Sequence, residues 1–202
     1  KLGTGITLIP ERNPLVLAKA ISTLDLFSDG RFILGVGTGW LREETEIMGG
    51  DFDHRWTQAE EYVSAMKEIW TKEEAEFHGK YVDFPPVICN PKPFQKPHPP
   101  VLLGGNASNV LKRVARWGDG WIPIGVTPED IKKAKVTLSE LCEDEERNSD
   151  EIQITIHSLP CDKDTVDMFE DVEVDRVLVR VTSLTASEIF DELEGIAEVV
   201  LV

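Results

Sequence analysis

The chain has 202 residues, of which 41% are hydrophobic and 29% are charged, a balance typical of a folded globular protein. Its formal net charge of −16 argues against nucleic acid as a partner, because binding to a polyanion depends on basic side chains. Three widely spaced cysteines match neither a disulfide framework nor a zinc site, and no apolar run approaches the roughly 20 residues of a membrane-spanning helix. We therefore expect no metal site, no membrane partner and a cytoplasmic location.

The first third of the chain is predicted to run as strand, helix and strand. Residues 2–10 are strand-like, and a helix with apolar residues at helical spacing is expected over residues 14–27, with Pro14 in its first turn. Gly30 is well placed to end that helix, and the next strand covers residues 31–36. Three glycines and a tryptophan, "GVGTGW", follow at the carboxyl end of this strand.

The remainder alternates in the same way around one irregular stretch. An acidic loop, "REETEIMGGDFDHR", leads to a helix over about 56–70, and proline-rich residues 71–100 predict a surface excursion with at most a short hairpin. The later predicted elements are the strand "PVLLGG", a helix from about Ala107, the strand "DGWIPIG", a helix over about 128–145, strands over 152–158 and 176–181, and a helix over 186–197.

Six strands that alternate with helices indicate a parallel α/β fold, either an open doubly wound sheet or a (β/α)₈ barrel. The glycine spacing of "GVGTGW" does not fit the G-x-G-x-x-G dinucleotide fingerprint, since the third glycine comes too soon. The barrel is therefore favoured, although six strands do not close one.

Linked segments in a fixed order carry a family resemblance. The order "LGTGI", "RNPLVLAKAISTLDLFSDGRFILGVGTGW", "MGGDF", "FHGKYVDF", "PKPFQKPHPPVLLGG" and "GDGW" resembles the bacterial luciferase-like flavin monooxygenase superfamily. The resemblance implies a TIM-type (β/α)₈ barrel that binds FMN or the related deazaflavin coenzyme at the carboxyl ends of its strands. It also implies that "LGTGI" is the third barrel strand, so that residues 1–202 form a single partial barrel domain without the first two strands.

The resemblance assigns the phosphate end of the cofactor to the turn after "PVLLGG". Gly104 and Gly105 precede a predicted helix, whose unpaired N-terminal amides are suited to hold a phosphate. Asn106, Ala107 and Ser108 complete the predicted site. A plain turn from strand to helix is the alternative.

The flavin ring is assigned to two other turns. Relatives place a non-prolyl cis peptide bond at the position of Gly5 and Ile6, which are expected to back the ring, and a plain trans strand is the alternative. In "GVGTGW", Gly37 and Gly39 would leave room for the cofactor, while Thr38 would donate a hydrogen bond.

Three further residues are predicted to contact substrate. Trp40 either walls the pocket or packs in the core, and it stands where some deazaflavin sugar dehydrogenases carry a carboxylate. His157 and Arg180 lie near the ends of late strands, where barrel enzymes keep functional groups, and each is a candidate for contact with substrate or phosphate, with a structural role as the alternative. His157 is also the one catalytic candidate. Ile124 and Val126 follow "GDGWIP" where deazaflavin-binding relatives have threonine and lysine, so FMN is slightly favoured.

The predicted function is that of a flavin-dependent oxidoreductase acting on a small organic molecule, by oxygenation or by hydride transfer. Relatives draw active-site residues from the two strands that the resemblance finds absent, so the resemblance leaves open whether the chain itself is active. The alternative is a non-catalytic flavin-binding or scaffold member of the same fold. Open sheet edges also predict a homodimer or a higher association.

Overall fold

The computed structural model describes residues 1–201, apart from the side chain of Ser158. The chain folds into two compact units, Lys1–Leu102 and Leu103–Val202, and the boundary between them falls inside one strand. That residues 1–202 form a single partial barrel domain stays a prediction.

The first unit holds three parallel strands, three helices and a hairpin. In chain order these are β1 (Leu2–Gly3), β2 (Thr7–Leu8), α1 (Pro14–Phe27), β3 (Phe32–Gly37), α2 (Arg42–Ile47), α3 (Arg55–Thr71), β4 (Glu74–His78) and β5 (Asp83–Ile88), with a 3₁₀ turn at Ile9–Glu11. Both β1 and β2 pair in parallel with β3, which is buried along its whole length.

Two sequence-based predictions for this unit are corrected. The strand expected over residues 2–10 is broken into β1, β2 and the 3₁₀ turn, because the side chain of Thr4 takes over the pairing between them. The acidic loop contains the helix α2, in which Arg42 and Glu46 form an i,i+4 ion pair with a distance of 2.9 Å.

Local signals explain where α1 begins and ends. The side chain of Asn13 accepts hydrogen bonds from the amides of Leu15 (3.0 Å) and Val16 (3.1 Å), and Pro14 occupies the first turn. Gly30 has a φ of +69°, the left-handed conformation that commonly follows a helix. The helix packs on α3, where the indole of Trp70 donates to the carbonyl of Ala18 at 3.0 Å.

Residues 71–100 form an antiparallel hairpin, β4 and β5, followed by an irregular segment. Asp25 anchors that segment to α1, because its fully buried carboxylate accepts hydrogen bonds from the amide (2.9 Å) and side chain (2.7 Å) of Gln95. Its two X-Pro cis bonds are Asn90–Pro91 and Lys96–Pro97.

The second unit continues the alternation of strand and helix. Its elements are β6 (Val101–Gly104), α4 (Val110–Trp117), β7 (Gly120–Ile122), α5 (Pro128–Asp144), β8 (Gln153–Leu159), α6 (Lys163–Glu170), β9 (Arg176–Val179) and α7 (Ala186–Val200), with a 3₁₀ turn at Ser149–Glu151. The strands β7, β8 and β9 pair in parallel in this order. The sequence missed α6, and the helix expected from about Ala107 begins at Val110.

Candidate functional site

The carboxyl edge of the first unit is shaped by a break between β1 and β2. The hydroxyl of Thr4 donates to the carbonyl of Gly35 and accepts from its amide, each at 3.0 Å. The Thr4 hydroxyl therefore makes the two hydrogen bonds that a neighbouring strand's backbone would otherwise make with Gly35, at the point where the chain leaves β1. The peptide bond between Gly5 and Ile6 is cis, which confirms the cis bond that the resemblance implies at this position.

Gly37 leaves room for the side chain of Ile6. A Cβ atom added to Gly37 would lie 1.7 Å from Cδ1 of Ile6 and 3.0 Å from its Cγ1, so the end of the Ile6 side chain would have to shift. The side chain of Ile6 therefore occupies the space where a Cβ atom of Gly37 would stand, and the cofactor contact expected at Gly37 stays a prediction. Ile6 keeps 39% of its surface exposed and presents an apolar face at the edge.

Glu11 lies against the same turn and was missed from the sequence. Gly39 has a φ of +78°, and a Cβ there would lie 3.2 Å from both Glu11 Oε1 and Thr45 Oγ1. Thr45 is fully buried, and its hydroxyl lies 3.4 Å from Glu11 Oε1. Burial raises the pKa of Glu11, and the nearby carboxylate of Glu44 raises it further.

The neighbouring predicted residues differ in exposure. Thr38 is only 5% exposed, whereas Trp40 is 85% exposed, so the alternative of Trp40 as a core residue is wrong. Beyond it, Arg42 donates to both carboxylate oxygens of Asp53 and stacks on the ring of Phe52 at 4.5 Å. The hydrogen bonds from Arg42 lower the pKa of Asp53. The charges that follow Trp40 are thus largely paired with one another.

In the second unit, the side chain of Asn106 links the turn after β6 to the segment after β7. Its side chain donates to the carbonyl of Ile124 at 2.6 Å and accepts from the amide of the same residue at 3.0 Å. The amide of Gly105 donates to the carbonyl of Ile122 at 3.0 Å. These bonds hold the turn after β6 against the end of β7. The Asn106 side chain and the Gly105 amide, both predicted from the sequence to bind a phosphate, are therefore already hydrogen-bonded within the chain.

The amides just beyond Asn106 remain available. The helix α4 begins at Val110 without a side-chain cap, and within residues 1–201 the amides of Ala107, Ser108 and Asn109 donate no hydrogen bond. Gly105 has a φ of +93° and open space where a Cβ would stand. An open pocket of about 350 Å³ adjoins the turn and is also lined by Val126 and Lys133.

Unpaired amides ahead of a helix are donors suited to a phosphate group. Unpaired amides at a helix N-terminus combine donors with a partial positive charge. The hydroxyl of Thr127 is not part of the set, because it donates to Asp130 Oδ2 at 2.7 Å and accepts from the amide of Asp130 at 3.2 Å as the cap of α5. The hydrogen bonds from Thr127 lower the pKa of Asp130.

His157 and Arg180 lie at the carboxyl edge of β8 and β9. His157 is the register partner of Leu178, and the amide of Arg180 donates to the carbonyl of Leu159 at 2.9 Å. Both side chains are exposed. The pairing of the strands therefore brings the two predicted substrate contacts to one edge of the second unit.

Among residues 1–201, no group of three or more His, Cys, Asp and Glu side chains is arranged to hold a metal ion. None of the helices in that same range combines the length and apolarity needed to span a membrane.

Residues 1–176 match the model of the family described as luciferase-like monooxygenase. The chain belongs to this family. Among its relatives, an uncharacterised protein of Mycobacterium tuberculosis is 44% identical to this luciferase-like chain over 133 residues, which cover 65% of the chain and 45% of that protein.

Two relatives have named activities. The FMNH2-dependent dimethylsulfone monooxygenase of Pseudomonas putida is 33% identical over 123 residues, covering 59% of this chain and 34% of the enzyme. The F420-dependent glucose-6-phosphate dehydrogenase of Amycolatopsis mediterranei is 33% identical over 115 residues, covering 54% of the chain and 33% of the enzyme. The luciferase-like chain spans less than half the length of each of these three relatives.

Solved structures establish the fold. The monooxygenase RslO1 from Streptomyces bottropensis superposes with a TM-score of 0.82 at 19% identity, covering 100% of this chain and 77% of RslO1. The coenzyme F420-dependent tetrahydromethanopterin reductase from Methanopyrus kandleri gives a TM-score of 0.77 at 19% identity, covering 100% and 82%. The predicted α/β fold of the luciferase-like barrel type is therefore confirmed.

Proposed function

We propose that this luciferase-like chain belongs to a flavin-dependent oxidoreductase and holds the phosphate of FMN at the turn between β6 and α4. The observation that carries the proposal is the set of unpaired amides at Ala107, Ser108 and Asn109, beside an open pocket. In a chain with a net charge of −16, backbone dipoles supply a local positive potential that most of the surface lacks.

Asn106 positions this site rather than binding the phosphate. Its two hydrogen bonds to Ile124 fix the strand ends on which the turn rests, so the free amides keep their direction. FMN, when bound, supplies either a hydride or the reduced ring that reacts with oxygen. The ring contacts that the resemblance assigns to Gly5, Ile6, Gly37, Thr38 and Gly39 remain part of the proposal.

The proposal prefers FMN to the deazaflavin coenzyme, although relatives of both kinds exist. Ile124 and Val126 are apolar, whereas the family resemblance implies threonine and lysine near these positions in deazaflavin-binding relatives. The one hydroxyl that follows closely, that of Thr127, is used to cap α5. The substrate is proposed to be a small organic molecule that meets Trp40, His157 or Arg180, and the chain is proposed to self-associate.

The test compares FMN with riboflavin, which lacks the phosphate, by quenching of flavin fluorescence. Ser108→Asp places a carboxylate beside the free amides, and we expect FMN to bind at least about tenfold more weakly while riboflavin is unaffected. Ser139→Asp is the matched control, because Ser139 is also an exposed serine of the second unit but is not among the residues that line the pocket beside the turn.

Equal losses for FMN and riboflavin, or no loss for either, would overturn the assignment of the phosphate site. Binding of FMN without turnover of any reduced-flavin reaction would support the non-catalytic alternative. Tighter binding of the deazaflavin than of FMN would reverse the cofactor preference.

A further inference from the structure

We propose that Glu11 and Thr45 are positioning residues for Trp40, and that they hold it most firmly when Glu11 carries a proton. All three residues lie in the first unit: Glu11 ends the 3₁₀ turn after β2, Trp40 follows β3, and Thr45 belongs to α2. The inference rests on the proposed function, in which Trp40 contacts the substrate.

The side chain of Trp40 has few contacts of its own. It is 85% exposed, and within residues 1–201 its indole forms no hydrogen bond and no ring contact. The direction of the indole therefore depends on the backbone at its two neighbours, Gly39 and Leu41.

Thr45 lies against both neighbours of Trp40. A Cβ atom added to Gly39 would stand 3.2 Å from Thr45 Oγ1, and Gly39 has a φ of +78°. The amide of Thr45 donates to the carbonyl of Leu41 at 3.2 Å, and its hydroxyl lies 3.3 Å from the same carbonyl. Because Thr45 is fully buried, the packing around it restricts its movement, and it can support the turn on either side of Trp40.

The hydroxyl of Thr45 has one hydrogen and faces two acceptors. The carbonyl of Leu41 lies at 3.3 Å and Glu11 Oε1 at 3.4 Å, both beyond the usual distance for a hydroxyl donor. The hydroxyl can donate to only one of them at a time, so one acceptor lacks a donor while Glu11 is ionised.

A proton on Glu11 completes this set of hydrogen bonds. The protonated carboxyl can donate to Thr45 Oγ1, which leaves the hydroxyl of Thr45 free to donate to Leu41. Glu11, Thr45 and Leu41 then form one connected chain of donors and acceptors around the turn that carries Trp40. The turn is therefore expected to be held more firmly in the protonated form than in the ionised form.

The surroundings of Glu11 favour the protonated form. Burial raises the pKa of Glu11, and the carboxylate of Glu44 on α2 raises it further. The hydrogen bond from Thr45 and the charge of Arg12 act in the opposite direction. Among the described residues, Glu44 and Arg12 are the ionisable groups that shift this pKa.

Fluorine NMR of the chain labelled with a fluorinated tryptophan tests the proposal. The chain has five tryptophans, and the resonance of Trp40 is identified by its loss in Trp40→Phe. Lowering the pH until Glu11 takes up its proton should raise the ratio of held to free turn by about fivefold, which is the effect of one net hydrogen bond. The Trp40 resonance should then shift and relax faster.

Variants of Glu11 separate its proton from other effects of pH. Glu11→Gln keeps a donor to Thr45 at every pH, so its Trp40 resonance should resemble that of the unmodified chain at low pH and should not titrate. Glu11→Ala should leave Trp40 free throughout. Glu44→Gln should move the midpoint of the transition to lower pH, and Glu43→Gln is the matched control, because Glu43 is not among the groups that shift this pKa.

Variants of Thr45 test the hydroxyl that links Glu11 to the turn. Thr45→Val removes the hydroxyl at nearly constant volume and should free Trp40 at every pH, whereas Thr45→Ser should restore the response. The remaining tryptophan resonances report whether the unit stays folded, and if Thr45→Val does not fold, the Glu11 variants decide the outcome.

Three results would overturn the proposal: a Trp40 resonance that ignores pH, one that titrates equally in Glu11→Gln, or a folded Thr45→Val that behaves like Thr45→Ser. No flavin and no substrate are present in these measurements. A failure of the proposed cofactor site or substrate contact is therefore distinguishable from a failure of this positioning role.

Discussion

Thr4 and Gly35 form a reciprocal pair of hydrogen bonds: the Thr4 hydroxyl donates to the Gly35 carbonyl and accepts from the Gly35 amide, each at 3.0 Å. Gly35 is buried in the middle of β3, where its backbone groups have no access to bulk water. A single hydroxyl therefore satisfies the buried amide and carbonyl of Gly35 in β3, at the point where the chain turns away after β1.

The first prediction concerns this pair. Thr4→Val keeps the shape of the side chain but leaves the Gly35 amide and carbonyl unsatisfied, so the free energy of unfolding should fall by about 2 kcal/mol. Thr4→Ser retains the hydroxyl and should cost much less. Urea denaturation of both variants measures the difference, and equal stabilities for the valine and serine variants would show that the hydroxyl does not carry the pairing.

The second prediction concerns the space beside Gly37. In Gly37→Ala the new methyl group collides with Cδ1 at the end of the Ile6 side chain, which is partly exposed and can shift, so we expect a loss of about 1 kcal/mol in the free energy of unfolding. Ile6→Ala should relieve the collision, so the double variant should be more stable than the sum of the two single changes allows.

Gly195→Ala is the matched control for that substitution. Gly195 lies inside α7, with no atom within 4 Å of an added Cβ, so alanine should stabilise the helix by about 0.5–1 kcal/mol. Additive energies for Gly37→Ala and Ile6→Ala would contradict the contact between the two residues.

The third prediction concerns the pH dependence of stability through Glu11. Because the folded chain raises the pKa of this carboxyl, it binds the proton more tightly than the unfolded chain does. This contribution to stability is fully present below the unfolded pKa, near 4.5, and is lost as the pH rises through the higher folded value.

Glu11→Gln cannot lose that proton, so relative to the unmodified chain it should be more stable at pH 7 and little changed at pH 4. Thermal unfolding of both chains at the two pH values provides the measurement. Glu43→Gln is the matched control, because it removes one exposed carboxylate from the same unit and the two variants are compared at both pH values. A larger gain at pH 4 than at pH 7 would mean that the environment of Glu11 favours its charged form.

The elements that could be predicted from the sequence are those specified by neighbouring residues. The start of α1 follows from Asn13 and Pro14, and its end from Gly30, since each acts on backbone groups within a few positions. The short helix α2 was not predicted, because a run of charged residues is equally typical of a solvated loop. Asn109 rather than Ala107 precedes α4 because the amide of Gly105 and the side chain of Asn106 are drawn toward β7.

The sequence by itself determined the alternation of strands and helices, the family, and the positions of the glycine turns. Each of these depends on the types of residues that are close together in the chain, through hydrophobic periodicity and the conformational freedom of glycine. Only the tertiary structure decided what those turns contain. Ile6 fills the space at Gly37 across 31 positions of sequence, and Glu192 occupies the amides of Thr182 and Ser183 from the far side of a helix start. Such contacts depend on which strands pair and how a helix docks, and neither is expressed in the spacing of the residues themselves.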